Sequence, residues 1–313
     1  MIARLLHALN EAGVLGINSR NAEYIMRCNA RSRYPLVDNK VLTKGLARQY
    51  GIPTPALYSI IENHGSLKNL KATLKDLKEF VVKPASGSGG SGIILIAERT
   101  GNGFLTQSGR EVSLEYLSYH ISDILSGIFS LQGQEDHAII ESLIHPDEVF
   151  SAVTYQGVPD VRIIVYRGVP VMAMVRLPTK DSDGKANLHR GAIGAGIELG
   201  TGRTITAVHK SQIVTLHPDT GNPVSGIQVP HWETMLSIAV LAIDMTGLCY
   251  VGVDIVIDRD QGPVLLELNA RPGLAIQMAN RSGLLKRLKH VDTAPAEIFA
   301  TPEKRIAWAK ENL

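Results

Sequence analysis

The chain has 313 residues, 44% of them hydrophobic, enough for a sizeable core and, by length, for two domains or lobes. Its 32 basic and 30 acidic residues leave a net charge of +2, which excludes broad electrostatic attraction to nucleic acid or to an anionic membrane. Cys28 and Cys249 fit no metal-ligand spacing and read as small core residues of a protein in a reducing compartment.

The N-terminal segment reads as a helix with Ile2, Leu5, Leu6 and Leu9 on one stripe; Asn10 and Glu11 break it before a signal-peptide core forms. No run approaches the ~20 apolar residues that cross a bilayer, so a soluble, cytoplasmic protein is expected. A second helix is expected from about Arg20 to Ala30. A third has Asp38 as its N-cap, Leu42, Leu46, Ala47 and Tyr50 as its apolar face, and Gly51 as its end. Phe80–Pro84 and Ile93–Ala97 read as buried strands around a glycine- and serine-rich loop. A helix over Leu114–Phe129, a strand over His137–Ile144 and a hairpin of Val161–Tyr166 with Val169–Val175 follow. The stripe Trp232, Met235, Leu236, Ala239, Val240 and Ile243 marks a core-facing helix. Strands over Tyr250–Asp258 and Pro263–Asn269 come next, and the tail to Leu313 reads as helical.

Three clusters carry candidate chemistry. The loop Ala85-Ser86-Gly87-Ser88-Gly89-Gly90-Ser91-Gly92 offers many backbone N–H groups with little side-chain obstruction, as a phosphate flap requires. A flexible linker has the same composition, but linkers join independent units and this loop lies between two short apolar strands. It is neither a Walker loop nor a Rossmann fingerprint. Lys83, on the strand entering it, reads as a phosphate-binding point charge or as a strand-edge lysine reaching solvent.

The second cluster is acidic. Alternation leaves Gly252 and Asp254 on one face of their strand and sets Val251, Val253, Ile255 and Ile257 on the other. Leu265, Glu267 and Asn269 share a face of the next strand. A turn symmetric about Asp260 and Gln261 puts Asp254 opposite Glu267, with Cβ atoms about 4.5–5.5 Å apart. Two facing carboxylates repel unless a cation or proton lies between them, and with the Asn269 amide oxygen they make a hard-oxygen set suited to magnesium. Acids facing water on a solvated hairpin are the bland alternative.

The third cluster is basic: Arg162, Arg176, Lys180, Lys185, Asn187, His189 and Arg190, leading into a second glycine-rich turn at Ala192–Gly196. It suits a phosphoryl group in transfer, with His189 touching phosphate, or equally it is a set of scattered surface cations.

In the order Asp38-Asn39-Lys40, Val82-Lys83-Pro84 with its flap, Ile140-Glu141, Asp160-Val161-Arg162, Asn187-Leu188-His189-Arg190-Gly191, Asp254 and Glu267-Leu268-Asn269, the chain resembles ATP-grasp enzymes. Among these it is most similar to RimK-like, α-L-glutamate ligase-related proteins, over about residues 36 to 280. The resemblance implies an α+β ATP-grasp fold, two α+β lobes gripping ATP behind a short helical N-terminal segment: residues 1–36 for that segment, 37–143 for the lobe with the flap, 144–290 for the lobe with the metal site and 291–313 for a helical tail. It implies that Lys40 and Lys83 contact ATP phosphates beneath the loop Ser86–Gly92, including Ser86, Gly87, Ser88, Gly89 and Gly90. Glu141 and the Leu143 backbone would meet adenine, and Glu148 the ribose. Arg162, Arg176 and Asn187 would stabilise the γ-phosphoryl. Asp254, Glu267 and Asn269 would hold magnesium, with manganese as the alternative, and Arg271 would sit by the acceptor carboxylate or acyl phosphate. Relatives usually carry a larger α/β domain ahead of the nucleotide lobes, so the substrate stays open.

The activity implied is ATP-dependent carboxylate–amine ligation through an acyl phosphate, with glutamate as the added amino acid. Its partners would be ATP, a carboxylate acceptor and an amine or amino-acid donor, with no nucleic acid and no membrane insertion; a homo-oligomer is left open. An ATP-binding regulatory module or a kinase-like phosphotransferase on the same scaffold is the alternative.

Overall fold

The computed structural model describes residues 2–87, 89–130 and 133–313, with the side chains of residues 2–6 outside the description. The expected apolar stripe of the first helix, Ile2–Glu11, therefore lies largely outside the described side chains. The chain divides into two compact units. One comprises residues 39–42 and 54–144, the other residues 1–38, 43–53 and 145–313.

The smaller unit is built on an antiparallel sheet. Its strands are β1 (Leu57–Ile61), β2 (Phe80–Pro84), β3 (Ile94–Arg99), β4 (Phe104–Thr106), β5 (Glu111–Val112) and β6 (Ala138–Glu141), in the order β1-β6-β2-β3-β4-β5. The helix Leu114–Leu125 starts at Ser113, whose hydroxyl accepts the Tyr116 N–H. It presses Leu117, Ile121 and Ile124 onto Phe80, Val82, Ile96 and Ile140. Gly127, at φ +80°, ends it before Phe129.

The larger unit carries a seven-stranded antiparallel sheet. Its strands are β7 (Asp160–Tyr166), β8 (Val169–Leu177), β9 (Ile193–Ile197), β10 (Thr204–His209), β11 (Gln212–Val214), β12 (Tyr250–Asp258) and β13 (Gly262–Asn269), in the order β11-β10-β9-β8-β7-β12-β13. The helix Trp232–Thr246 covers one face, where Val161, Ile163, Val165, Val251, Val253 and Ile255 meet Met235, Leu236, Ala239 and Val240. On the other face Ile164, Tyr166 and Tyr250 pack against Tyr24 and Ile25 of the N-terminal segment and Leu284, Leu288 and Val291 of the helix Leu284–Asp292. Cys28 and Cys249 are half-buried against this second cluster. Strand alternation places Asp160, Arg162, Gly252 and Asp254 on that same face.

Three local readings change. The third helix runs Lys40–Gln49, and its cap is Asn39, whose Oδ1 accepts the N–H groups of Val41 and Leu42; Asp38 instead closes the short helix Pro35–Asp38. The expected glycine-rich turn at Ala192–Gly196 is mostly the buried strand β9. Its glycines serve close packing: a β-carbon on Gly196 would meet the Ala279 carbonyl oxygen at 2.5 Å. Third, Leu265 joins the core face with Leu268 and does not share the face of Glu267.

The reason is a β-bulge. Near the loop the pairing is Asp258 to Gly262, Ile257 to Pro263 and Ile255 to Leu265; beyond it Asp254 faces Glu267, so Leu266 is the extra residue. The β7–β8 hairpin has the same device. Arg167 and Gly168, at φ 49° and 79°, form a tight turn that pairs Val165 with Pro170. An extra residue at Val171 then places Asp160 opposite Arg176.

Candidate active site

In the larger unit two arginines and two aspartates close into one network. Arg162 donates from Nε and Nη2 to both carboxylate oxygens of Asp254, at 2.7 and 2.5 Å. Arg176 donates from Nε and Nη2 to Asp160, at 2.5 and 2.6 Å, and its Nη2 also reaches Asp254 Oδ2 at 2.8 Å. Asp254 is fully buried. Burial favours its neutral form, but Arg162 and Arg176 outweigh this and hold it well below the usual carboxylate range. The converse holds for Asp160, which burial raises to about 6 against the pull of Arg176 and with the charge of Asp254 adding to the rise. Burial opposes the charge on Arg176, yet Asp160 and Asp254 hold it firmly protonated. Neither Nη1 group has a hydrogen-bond partner among the described residues, so both arginines keep donors for an anion.

Glu267 stands opposite Asp254, and both Glu267 and Asn269 are half-buried. Asn269 points its amide nitrogen at both acids, 3.0 Å from Asp254 Oδ2 and 3.4 Å from Glu267 Oε1. A half-turn of that amide presents its oxygen beside the Glu267 carboxylate. The donor set therefore fits a hard divalent cation, held chiefly by Glu267 and Asn269, with Asp254 shared between the cation and its arginines. Among the described residues no group of three or more His, Cys, Asp or Glu is placed to hold a metal.

In the smaller unit Lys83 is no surface lysine. It is 4% exposed and ion-paired with Glu141, itself 2% exposed. The two share one sheet face because Val81 pairs with Glu141 and Lys83 with Ile139, a diagonal neighbour. The flap is tethered at both feet. Ser86 N–H donates to both oxygens of Asp136, at 3.1 and 2.9 Å, and Asp136 also accepts the His137 N–H at 2.8 Å. Lys40 Nζ donates to the Gly87 carbonyl at 2.8 Å. At the far foot His120 Nε2 bonds the Gly92 carbonyl at 2.8 Å. There a β-carbon on Gly92 would strike the Phe129 ring at 2.6 Å. Between the feet Gly89 and Gly90 take φ +62° and +75° with open space around them; Ser88 lies outside the described residues.

Other expected residues are placed apart from these groups. Leu143 is buried, and Glu148 is exposed at the start of the 3-10 turn Glu148–Val153. Asn187 Oδ1 accepts the His189 N–H at 3.0 Å and so caps its own turn. His189 and Arg190 are exposed, and among the described residues no hydrogen bond or ion pair joins them to the arginine–aspartate network. Lys180 gives its backbone N–H to Asp219, and Lys185 forms an exposed pair with Asp183. Arg271 is exposed, 4.9 Å above the ring of Tyr34. Sequence reasoning missed Asp136 and His120 as flap tethers, and Asp160 as the residue that orients Arg176. The signal for Asp160 was its position two residues before Arg162, on the same strand face.

Against known proteins, the family model described as "Sugar-transfer associated ATP-grasp" matches residues 19–293. None of the curated proteins matches. Among solved structures the chain is similar to the ATP-grasp ligase PsnB complexed with minimal precursor, at 14% identity and TM-score 0.46, covering 89% of this chain and 62% of that one. It is similar to D-alanyl-alanine synthetase A from Vibrio cholerae O1 biovar eltor, at 12% identity and TM-score 0.46, covering 91% and 68%. A RimK domain protein ATP-grasp from Sphaerobacter thermophilus gives 11% identity and TM-score 0.45, covering 83% and 69%. Likenesses at this level carry nothing about chemistry, and the chain spans less than two thirds of the PsnB ligase. Among the described residues no helix is long and apolar enough to cross a membrane.

Proposed function

The chain belongs to the sugar-transfer associated ATP-grasp family, with the α+β fold expected of it, and on that premise we propose that it is an ATP-dependent ligase joining a carboxylate to an amine. A carboxylate at neutral pH is a poor electrophile because its leaving group would be oxide. Transfer of the ATP γ-phosphoryl to it gives an acyl phosphate, and an amine then expels phosphate to leave an amide. In such transfers the protein supplies mainly positioning and charge neutralisation.

The observation that carries this reading is the buried network of Arg162 and Arg176 on Asp160 and Asp254, with free Nη1 donors and Glu267 directly opposite. Preorganised guanidinium groups stabilise charge on a transferring phosphoryl without rearrangement during the step. Magnesium, when bound by Glu267 and Asn269 with Asp254, neutralises phosphate oxygens. Lys83, oriented by Glu141, and the tethered amides of Ser86–Gly92 serve the α- and β-phosphates. Arg271, in an exposed position, serves the acceptor carboxylate. Glu141 and the Leu143 backbone are assigned to adenine, Glu148 to ribose, and Asn187 and His189 to phosphate contact.

Incubation with ATP, magnesium and pools of carboxylates tests the reading. Hydroxylamine should trap a hydroxamate, and ADP release should depend on a carboxylate. Mass spectrometry should then find a new amide, with glutamate the first amine to try and amino sugars included because of the family's sugar-transfer association. ADP release indifferent to every carboxylate, with no hydroxamate, overturns it. A phosphorylated product stable without any amine would identify a kinase instead.

A further inference from the structure

The sheet face that carries Asp254 continues past Gly252 to Tyr250, where the N-terminal segment packs over it. Arg20 enters that contact at the start of the π-helical turn Arg20–Ile25, an irregularity often found at functional sites. It is 7% exposed. Its Nε and Nη2 donate to Asn21 Oδ1 at 3.1 and 2.8 Å, and its Nη1 donates to the Pro272 carbonyl at 2.7 Å. All of these acceptors are neutral, and among the described residues no carboxylate pairs with Arg20. A guanidinium has five N–H donors, so these three bonds leave two unused.

Among the described residues Arg20 is thus a buried cation without a counter-anion, an unfavourable arrangement. Burial pulls its pKa down, Tyr250 opposes that pull, and the charge of Arg271 adds to it. Beside it Tyr250 is fully buried, and its hydroxyl has no hydrogen-bond partner among the described residues. Two kinds of unspent donor, charged and neutral, therefore meet in one buried place. Arg20 is linked through Pro272 to the strand that carries Asp254. A β-carbon on Gly252 would meet Pro272 Cβ at 2.6 Å, so Pro272 lies flat on β12. That point is two residues, about 7 Å of strand, from Asp254.

We propose that Arg20 and the Tyr250 hydroxyl form a carboxylate-binding subsite that seats a carboxylate of the acceptor substrate. A carboxylate accepts the paired N–H bonds of a guanidinium, supplies the missing negative charge and has lone pairs left for the phenol. The acceptor's part in this rests on the ligase reading; the anion binding does not.

The test uses the full 15N-labelled chain without nucleotide. Sodium acetate is the probe, with acetamide as the uncharged isostere and inorganic phosphate as the competing anion. Acetate should shift the Arg20 Nε–H resonance saturably, acetamide should not, and phosphate should bind more weakly. Tyr250→Phe removes only the unpartnered hydroxyl, so it keeps the fold and should weaken acetate binding roughly tenfold. Arg20→Lys, which keeps the charge and loses the fork, should weaken it at least as much. An unmoved Arg20 signal, acetate affinity unchanged in Tyr250→Phe, or a preference for phosphate overturns the subsite. Hydroxamate formation without any acetate response leaves the ligase reading standing and removes the subsite. An acetate response without hydroxamate keeps the subsite and removes its link to ligation.

Discussion

Asp254 stands directly opposite Glu267, although the three-residue loop between their strands would by itself offset the two by one position. The bulge at Leu266 restores the match, and the proposed cation site depends on it. Glu267→Gln keeps the shape and removes the charge that faces Asp254. Magnesium-dependent ADP formation should fall on the order of a hundredfold or more. Thermal unfolding should barely change, since Glu267 is half-buried and Asn269 meets it only at 3.4 Å. Wild-type turnover in this variant would count decisively against the site.

Lys83 and Glu141 form a buried pair, so their loss is asymmetric. Lys83→Met removes the buried ammonium that faces the Glu141 carboxylate and should destabilise the protein by up to about 3–5 kcal/mol. The double variant Lys83→Met with Glu141→Leu should recover part of that stability without recovering ATP affinity. Urea unfolding of the two single variants and the double gives the coupling. Additive losses would mean that the pair does not act as a unit.

Asp160 gives a signed pH dependence. Its pKa rises from an ordinary 3.8 to about 6 in the folded chain. A group that binds its proton more tightly when folded adds stability that is complete below the unfolded value and lost as pH rises through the folded one. Between about pH 4 and 6 the wild type should therefore lose up to roughly 3 kcal/mol relative to Asp160→Asn, whose amide does not titrate. Denaturant unfolding of both proteins across that window checks it. Parallel curves would show that Asp160 stays ionised throughout.

Asp136 secures the entering foot of the flap through the Ser86 N–H. Asp136→Ala should raise the rate of proteolytic cleavage within Ser86–Gly92 roughly tenfold, the weight of one charge-assisted hydrogen bond in a local opening equilibrium. The helix Leu114–Leu125 should stay protected. Uniform loss of protection would mean that Asp136 holds the whole unit together.

The sequence made the strands and the main helices legible because their apolar runs and stripes are long and cleanly bounded by Gly, Pro and Asp. It also paired Asp254 with Glu267, but by a symmetric turn that the chain does not make; the bulge at Leu266 is a local event with no composition of its own. Asp160 and Asp136 stayed hidden for a related reason. Each acts through a partner set by register or loop closure, Arg176 across a bulged hairpin and Ser86 fifty residues away. Lys83 was legible as a chemical residue but not as a buried one, since its burial depends on which residue β6 brings alongside.

Val171 and Leu266 act as spacers that set the phase of their strands. A natural or engineered change in the length of the connection at residues 259–261 leaves the acids facing each other as long as Asp258 still pairs with Gly262. Deleting Leu266 would leave Glu267 opposite Asp254 in a regular ladder, whereas flattening the bulge with Leu266 retained would turn Glu267 toward the core and Leu268 toward the arginines. Sequence comparison within this family is therefore safer when anchored on Glu267 and Asn269 and counted backward. Tags or labels belong in the connection rather than in the strand.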